Sequence, residues 1–280
     1  MKRKNILGSI LRESLILVVT LIYLIPIYYF IIGAFKVRID IVKFPLAINW
    51  DMIKGVGFAN FSYAFKKMKM LDALKNTGTI TISALAMVIF AGSLAGFAIA
   101  RVDRKLFQSF YKILIVLMVV PFIGSLIPLV IQSTQLKTYN TLLGPILIQA
   151  AWNLPFAIFL YTGFMRTIPK ELEEAAYIDG CSLISTYYRI FLPLLAPVTA
   201  TSCIYAGVGM WNDYLVSMSL LNGARMPTIM VGVTMFFGSR KTEYGYAFAG
   251  IILASLPIVI LFLFLQKYFI KGLTAGAVKG

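Results

Sequence analysis

The chain predicts an all-α integral membrane protein with six transmembrane helices, and three observations carry that prediction. Hydrophobic residues make up 60% of it and charged residues 13%, against about half and about a quarter in soluble domains, and its mean hydropathy is +0.85. The apolar residues gather in six uncharged runs, Ser14–Phe35, Asn76–Ala100, Ile113–Leu136, Thr138–Met165, Ile190–Asn212 and Tyr244–Gln266, each long enough for the roughly 20 residues that cross hydrocarbon. Four of the eleven acidic residues, Glu171, Glu173, Glu174 and Asp179, cluster between the fourth and fifth runs. Helices are accordingly expected at about 14–35, 76–100, 111–135, 141–165, 194–216 and 246–268, with a polar loop over 167–193, all within one transmembrane domain spanning 1–280.

The first run follows Lys2, Arg3 and Lys4. It is too long for the apolar part of a secretory signal, about 7–15 residues, and no Ala-x-Ala site follows it. It reads as an uncleaved first helix. The stretch from Val37 to Lys75 is the longest polar segment; Phe44-Pro45-Leu46 and Phe58-Ala59-Asn60-Phe61 mark it as an ordered outer loop with short amphipathic pieces. Spans two to four carry helix breakers: Gly92 and Gly96, then Pro121, Gly124 and Pro128, then Pro145 and Pro155. In a membrane such residues persist where neighbouring helices or a wet cavity satisfy the freed carbonyls, so these spans are expected to face protein or water. Gly92 and Gly96, four apart, also permit close helix approach.

Six spans place both termini on one side. With the termini inside, fourteen Lys and Arg lie inside and twelve outside, eight of the twelve in the single segment Lys36–Lys75. Because short loops set orientation, the termini are expected to be cytoplasmic. The net charge of +15 comes without an aromatic-basic stripe or recognition motif, so it reads as topology determinants and contacts with anionic lipid, with no nucleic-acid partner. Cys181 and Cys203 are expected to be packing residues, one facing a reducing compartment and the other in hydrocarbon.

Within the acidic loop, Pro169 suits a first helical turn, Glu171 and Glu173 suit the positive end of the helix dipole, and Gly180 suits a left-handed stop. A short helix over Pro169–Asp179, about 16 Å long, followed by a turn and a second helix over Leu183–Phe191, makes a cytoplasmic helix-turn-helix. Glu171, Glu174, Ala175 and Ile178 fall at i, i+3, i+4 and i+7, giving two carboxylates and two apolar groups on one face. That face fits a groove bearing Arg or Lys. Ala175 and Ala176 leave room for close approach, and Asp179 is placed either to cap the next helix or to hold the turn through its own carboxylate. On charge composition alone the same loop reads as a solvated acidic turn.

The spacing decides between the two readings. Glu174-Ala175-Ala176, two residues, Asp179-Gly180, nine residues, then Ile190-Phe191-Leu192-Pro193 resembles the signature loop of the permease subunits of ATP-binding-cassette importers. Asn76-Thr77 with Ile80-Thr81, Ser93–Arg101, Trp211-Asn212-Asp213 and the ending from Gln266 to Gly280 resemble the carbohydrate-uptake, MalG-like branch; Asp213 stands where that branch usually has Glu. The resemblance implies the type I importer permease fold and a coupling helix seated in a cleft of an ATPase. Glu174 would be the charged docking residue, Ala175 and Ala176 the close contact, Asp179 and Gly180 the turn, and Pro193 the end of the motif; Glu171, on the same helix face, joins them as a coupling candidate. It implies as partners a second six-helix permease, two ATPase subunits that hold ATP and magnesium, and an extracytoplasmic solute-binding protein. That protein would meet the loop Leu220–Lys241, with Asn222, Gly223 and Arg225 as candidate contacts, and the tail Thr274–Gly280 would meet the ATPases. The place implied is a bacterial-type inner membrane.

Other chemistry is poorly provided for. There is no Gly-x4-Gly-Lys-[Ser/Thr] phosphate loop, no histidine, no triad and no cluster of metal ligands, so the chain is expected to be no enzyme and to bind no metal or cofactor of its own. Apart from Asp213, and from Lys112 and Lys267 at span ends, the proposed spans hold no Asp, Glu, Lys or Arg, which argues against a self-powered symporter. A sugar path would be lined by amides and aromatic faces, for which Gln149, Trp152, Asn153, Trp211, Asn212, Asp213 and Tyr214 are the candidates; Trp and Tyr at span ends are also common interface anchors. The sequence thus points to the permease of an ATP-driven importer for a sugar or oligosaccharide. A permease for a non-carbohydrate solute, or a non-transport membrane protein using the acidic loop to hold a partner, are the alternatives.

Overall fold

The computed structural model describes residues 6–48, 50–238 and 242–277, and the elements within them are helical apart from one isolated β-bridge between Phe237 and Thr242. The basic residues 2–4, the loop residues 239–241 and the last three residues of the tail lie outside the described residues. Four helices are long and apolar enough to cross a membrane, or six if each of two bent pairs counts as one span. Large apolar side chains stand exposed along the spans, Leu11 and Tyr23 in the first and Ile123 and Ile127 in the third among them. Such surfaces suit lipid rather than water.

Contacts divide the chain into two compact units. The first comprises residues 1–70 and 232–256 and contains α1 (Ile6–Gly33), α2 (Arg38–Lys43), α3 (Trp50–Val56) and α4 (Ala59–Lys67). The polar segment expected as an ordered loop is held by a buried cation. Lys36 is 1% exposed and donates through Nζ to the carbonyls of Phe44 (2.8 Å) and Pro45 (3.4 Å). Burial pushes its pKa below the ordinary lysine value, with the charge of Asp40 opposing. Asn60 Nδ2 donates to the carbonyls of Ala34 (2.8 Å) and Lys36 (3.0 Å). A Cβ at Gly245 would stand 2.6 Å from the Lys36 carbonyl and 2.7 Å from that amide, so only glycine fits.

The second unit comprises residues 71–231 and 257–280. It holds all but the first residue of α5 (Met70–Arg101), then α6 (Lys105–Leu117), α7 (Phe122–Gln135), α8 (Leu143–Met165), α9 (Glu171–Ile178), α10 (Leu183–Thr186), α11 (Leu192–Leu194), α12 (Ala196–Trp211) and α13 (Leu215–Leu220). α14 (Ile229–Thr234) and α15 (Tyr244–Ala277) run across the division. α5 begins six residues before the expected start and takes in Asp72, in its first turn, and Lys75. The third expected span, 111–135, is not one helix. Met118, Val119 and Val120 close i→i+3 turns onto Ile115, Val116 and Leu117, Pro121 then takes an extended conformation, and α6 and α7 diverge by 108°. The residue before a proline resists the helical region and the proline has no N–H to donate, which fixes the break at this point.

α5 and α8 pack closely through small residues. A Cβ on Gly96 would stand 2.7 Å from Tyr161 Cβ and 3.0 Å from the Thr162 nitrogen, and one on Gly92 would stand 3.1 Å from Ala157 Cβ. The pair at i and i+4 is therefore the α5 face against α8. Around it the core collects Ile80, Ala84, Val88 and Phe97 from α5, Tyr161 and Met165 from α8, and Tyr187, Phe191 and Leu195 from the loop that follows α10.

Candidate functional site

The acidic loop folds as a short helix, a left-handed turn and a second helical segment. α9 covers Glu171–Ile178, so it is shorter at both ends than expected: Pro169 precedes it and Asp179 follows it. Gly180 has φ +77°, the left-handed stop that favours glycine. The cap of α10 is Ser182, whose hydroxyl accepts from the Ser185 nitrogen at 3.3 Å, and not Asp179. After α10 the backbone widens into a π turn over Tyr187–Phe191, with the Leu192 nitrogen reaching back to the Tyr187 carbonyl. Pro193 has no N–H for the regular bond at this point, which is where a π turn relieves the ladder.

Glu171, Glu174, Ala175 and Ile178 are all exposed, so the face read from the spacing is free in this chain. Ala176, placed by the resemblance at the partner contact, is 3% exposed and packs inward instead. Glu173 also turns inward. Its Oε2 lies 3.6 Å from Nε of Arg101, whose side chain is 3% exposed. Arg101 Nη2 donates to the carbonyls of Met165 (2.9 Å) and Ile168 (2.7 Å), and its guanidinium stands 4.8 Å over the Phe191 ring. Sequence reading missed Arg101 and Glu173 as loop anchors; an Arg closing a span and a Glu one residue off the docking face were the available signals.

Four of the seven path candidates come together. Gln149, Trp152 and Asn153 of α8 and Asp213 line a cavity of about 380 Å³ with Phe122, Tyr205 and Met210. Trp211, Asn212 and Tyr214 are not among its lining residues. Trp152 meets Phe122 edge-on at 4.7 Å, so the α6–α7 break delivers an aromatic wall. Gln149 is 5% exposed, and neither its Nε2 nor its Oε1 has a hydrogen-bond partner. Asn153 Nδ2 donates to the Gln149 carbonyl at 2.8 Å. Asp213 has a local task that the sequence reading did not assign: Oδ1 accepts from the Val216 nitrogen (3.1 Å), and Oδ2 accepts from the Ser217 nitrogen (2.9 Å) and hydroxyl (2.8 Å). Those bonds satisfy the first turn of α13.

The loop after α13 is tied down from two sides. Asn140, at φ +57°, donates its nitrogen to the Leu220 carbonyl at 2.9 Å and accepts from the Asn222 nitrogen at 3.0 Å. From α5, Asn76 Nδ2 donates to the Pro227 carbonyl at 2.8 Å and Thr77 Oγ1 accepts from the Ile229 nitrogen at 3.0 Å. Asn222 and Arg225 are left exposed. Lys241, at the end of the expected contact loop, lies outside the described residues.

Apolar spans, an exposed carboxylate helix between two of them and a largely apolar cavity into which α8 and Asp213 bring a few polar groups fit a membrane transport subunit. Over residues 88–275 the sequence matches the family of binding-protein-dependent transport system inner membrane components, and the chain belongs to that family. It is a multi-pass permease subunit, as the signature loop implied. It is 38% identical to the melibiose/raffinose/stachyose import permease protein MelC of Bacillus subtilis (strain 168), over 94% of each chain. With the probable starch degradation products transport system permease protein AmyC of Thermoanaerobacterium thermosulfurigenes it shares 30% identity over 99% of each. Its fold is similar to a chain of a bacterial ABC transporter involved in the import of the acidic polysaccharide alginate, with a TM-score of 0.79 at 18% identity, covering 96% of this chain and 99% of that one.

Proposed function

We infer that the chain is one of two permease subunits of an ATP-driven importer and passes a neutral sugar or oligosaccharide delivered by an extracytoplasmic binding protein. Two separate ATPases supply the energy by docking on the exposed face of α9, while this chain holds no nucleotide. Both termini are cytoplasmic in this reading, and the membrane is the bacterial inner membrane.

The observation that carries the substrate class is Gln149, a buried amide with no protein partner, beside Trp152 in the cavity. Leaving such a group unpaired costs roughly 1–3 kcal/mol, and a sugar hydroxyl can accept and donate to it while an aromatic ring covers an apolar sugar face. A volume of about 380 Å³ lies at the small end of ligand pockets, about 300–1,000 Å³. The charge of the lining selects further. Its one charged group is Asp213, whose carboxylate oxygens already accept three bonds, and no Lys or Arg appears among the described lining residues. An acidic saccharide would enter against a carboxylate with no cation to meet it, so the cavity favours neutral sugars. The names of MelC and AmyC point to the same class.

The test is uptake in proteoliposomes containing the companion permease, ATPases and binding protein. Raffinose uptake is expected to fall about tenfold in Gln149→Leu, the scale of one lost hydrogen bond to a buried group, with the complex intact. Unchanged uptake in that variant, or faster transport of a uronate oligomer than of raffinose by the native protein, would overturn the assignment.

A further inference from the structure

α5 touches the two surfaces on which the import cycle depends, one near each of its ends. At its inner end Ser93, Phe97 and Arg101 fall at i, i+4 and i+8, so they form one stripe along the helix. Ser93 shares a 2.7 Å hydrogen bond with the Tyr187 hydroxyl. Phe97 packs on the rings of Tyr187 (5.3 Å) and Phe191 (5.0 Å). Arg101 gathers the end of α8 at Met165, the link at Ile168, α9 at Glu173 and the π turn at Phe191. Only a guanidinium combines forked donors with a flat cationic face in this way; a lysine supplies a single point charge. At the outer end Asn76 and Thr77 hold the loop at Pro227 and Ile229, next to the exposed Asn222 and Arg225. Between Thr77 and Arg101 runs uninterrupted helix without proline, about 36 Å at 1.5 Å per residue.

The covalent routes from α9 into the membrane each pass through a turn or a bend. On one side the chain passes through the turn after Met165; on the other α10–α11 and α12 meet at a 71° bend. The noncovalent stripe from Arg101 to Ser93 gives α9 a route into the membrane that runs straight into one continuous helix. We propose that α5 is a rigid rod that couples the ATPase-docking helix to the binding-protein loop, with Arg101 and Asn76 as the positioning residues that fasten its two ends. This rests on the reading that ATPases dock at α9 and a binding protein at the loop after α13. A loaded binding protein pressing on that loop then signals along α5 to the ATPases, and ATP closure signals back along the same helix.

The experiment uses the assembled transporter, with Cys181 and Cys203 replaced by Ser and spin labels placed at exposed positions. One pair, Phe90 with Tyr177, spans α5 and α9; the other, Leu71 with Arg225, spans α5 and the outer loop. Each distance is expected to stay within about 2 Å, the scale of shear between packed elements, between nucleotide-free and ATP-vanadate-trapped states. In parallel, Arg101→Lys and Asn76→Ala are each expected to cut the stimulation of ATP hydrolysis by loaded binding protein about tenfold, within the usual range of intersite coupling, in complexes that retain their ATPases. A distance change above about 5 Å, one helical turn, in either pair, or full stimulation in both variants, overturns the rod while leaving the docking reading in place. Absence of ATPases from the native complex would instead overturn the docking reading and the rod with it.

Discussion

Ser93 and Tyr187, 94 residues apart in sequence, share a fully buried hydrogen bond of 2.7 Å. Ser93 also reaches the Phe90 carbonyl at 3.1 Å, and with a single hydroxyl proton given to that carbonyl it receives the proton of Tyr187. The two partners are therefore unequal. Tyr187→Phe leaves Ser93 bonded and should cost about 1 kcal/mol, whereas Ser93→Ala strands a buried tyrosine hydroxyl and should cost about 1–3 kcal/mol. Thermal unfolding in detergent checks the order; equal losses, or a larger loss in Tyr187→Phe, would contradict it.

Gly96 and Gly163 make a matched pair of tests. A Cβ at Gly96 meets Tyr161 Cβ and the Thr162 backbone, neither of which can swing away, while a Cβ at Gly163 meets nothing within 4 Å. Gly96→Ala is expected to destabilise by about 1–3 kcal/mol through overpacking. Gly163→Ala is expected to be neutral or to gain up to about 1 kcal/mol from helix propensity. Melting temperatures of the two purified variants decide the matter.

Asp213 serves the fold before it serves any substrate. Asp213→Ala removes acceptors for two backbone nitrogens and one hydroxyl at the start of α13, and should cost about 0.5–2 kcal/mol, the usual range for a lost cap. Asp213→Ser, which keeps a short acceptor, should recover part of that loss. If both variants melt with the native protein while the preferred sugar changes, the capping role is wrong and Asp213 belongs to the path.

At the start of α5, Asn76 and Thr77 hold the backbone at Pro227 and Ile229, close in sequence to Asn222 and Arg225. Asn76→Ala is expected to weaken binding-protein engagement, raising the concentration needed for half-maximal stimulation several-fold, while the amount of assembled transporter stays the same. A titration of ATP hydrolysis against loaded binding protein reads this directly.

Much of this was legible in the sequence, and what was not has definite causes. The spans announced themselves as uncharged runs, and the α9 turn at Gly180 as a glycine after a helical pattern. The break between α6 and α7 was visible as Pro121, but its 108° angle depends on what the two halves pack against. Arg101 was hidden because a cation at a span end looks like a topology marker; nothing local shows that two carbonyls and a glutamate more than sixty residues away converge on it. Ala176 read as partner-facing because small residues permit approach on either side of a helix, and packing chose the inner one. Asp213 lines the cavity as its place among the path candidates suggests, and its spacing to Val216 and Ser217 was an available signal for the capping bonds it also makes.

The central claim is that the exposed carboxylates of α9 hold the ATPases. Its most direct test is the composition of the complex purified through this chain after Glu174→Lys. The account predicts that the companion permease remains while the ATPases are lost and uptake stops. Recovery of the full complement of ATPases with native uptake would contradict it.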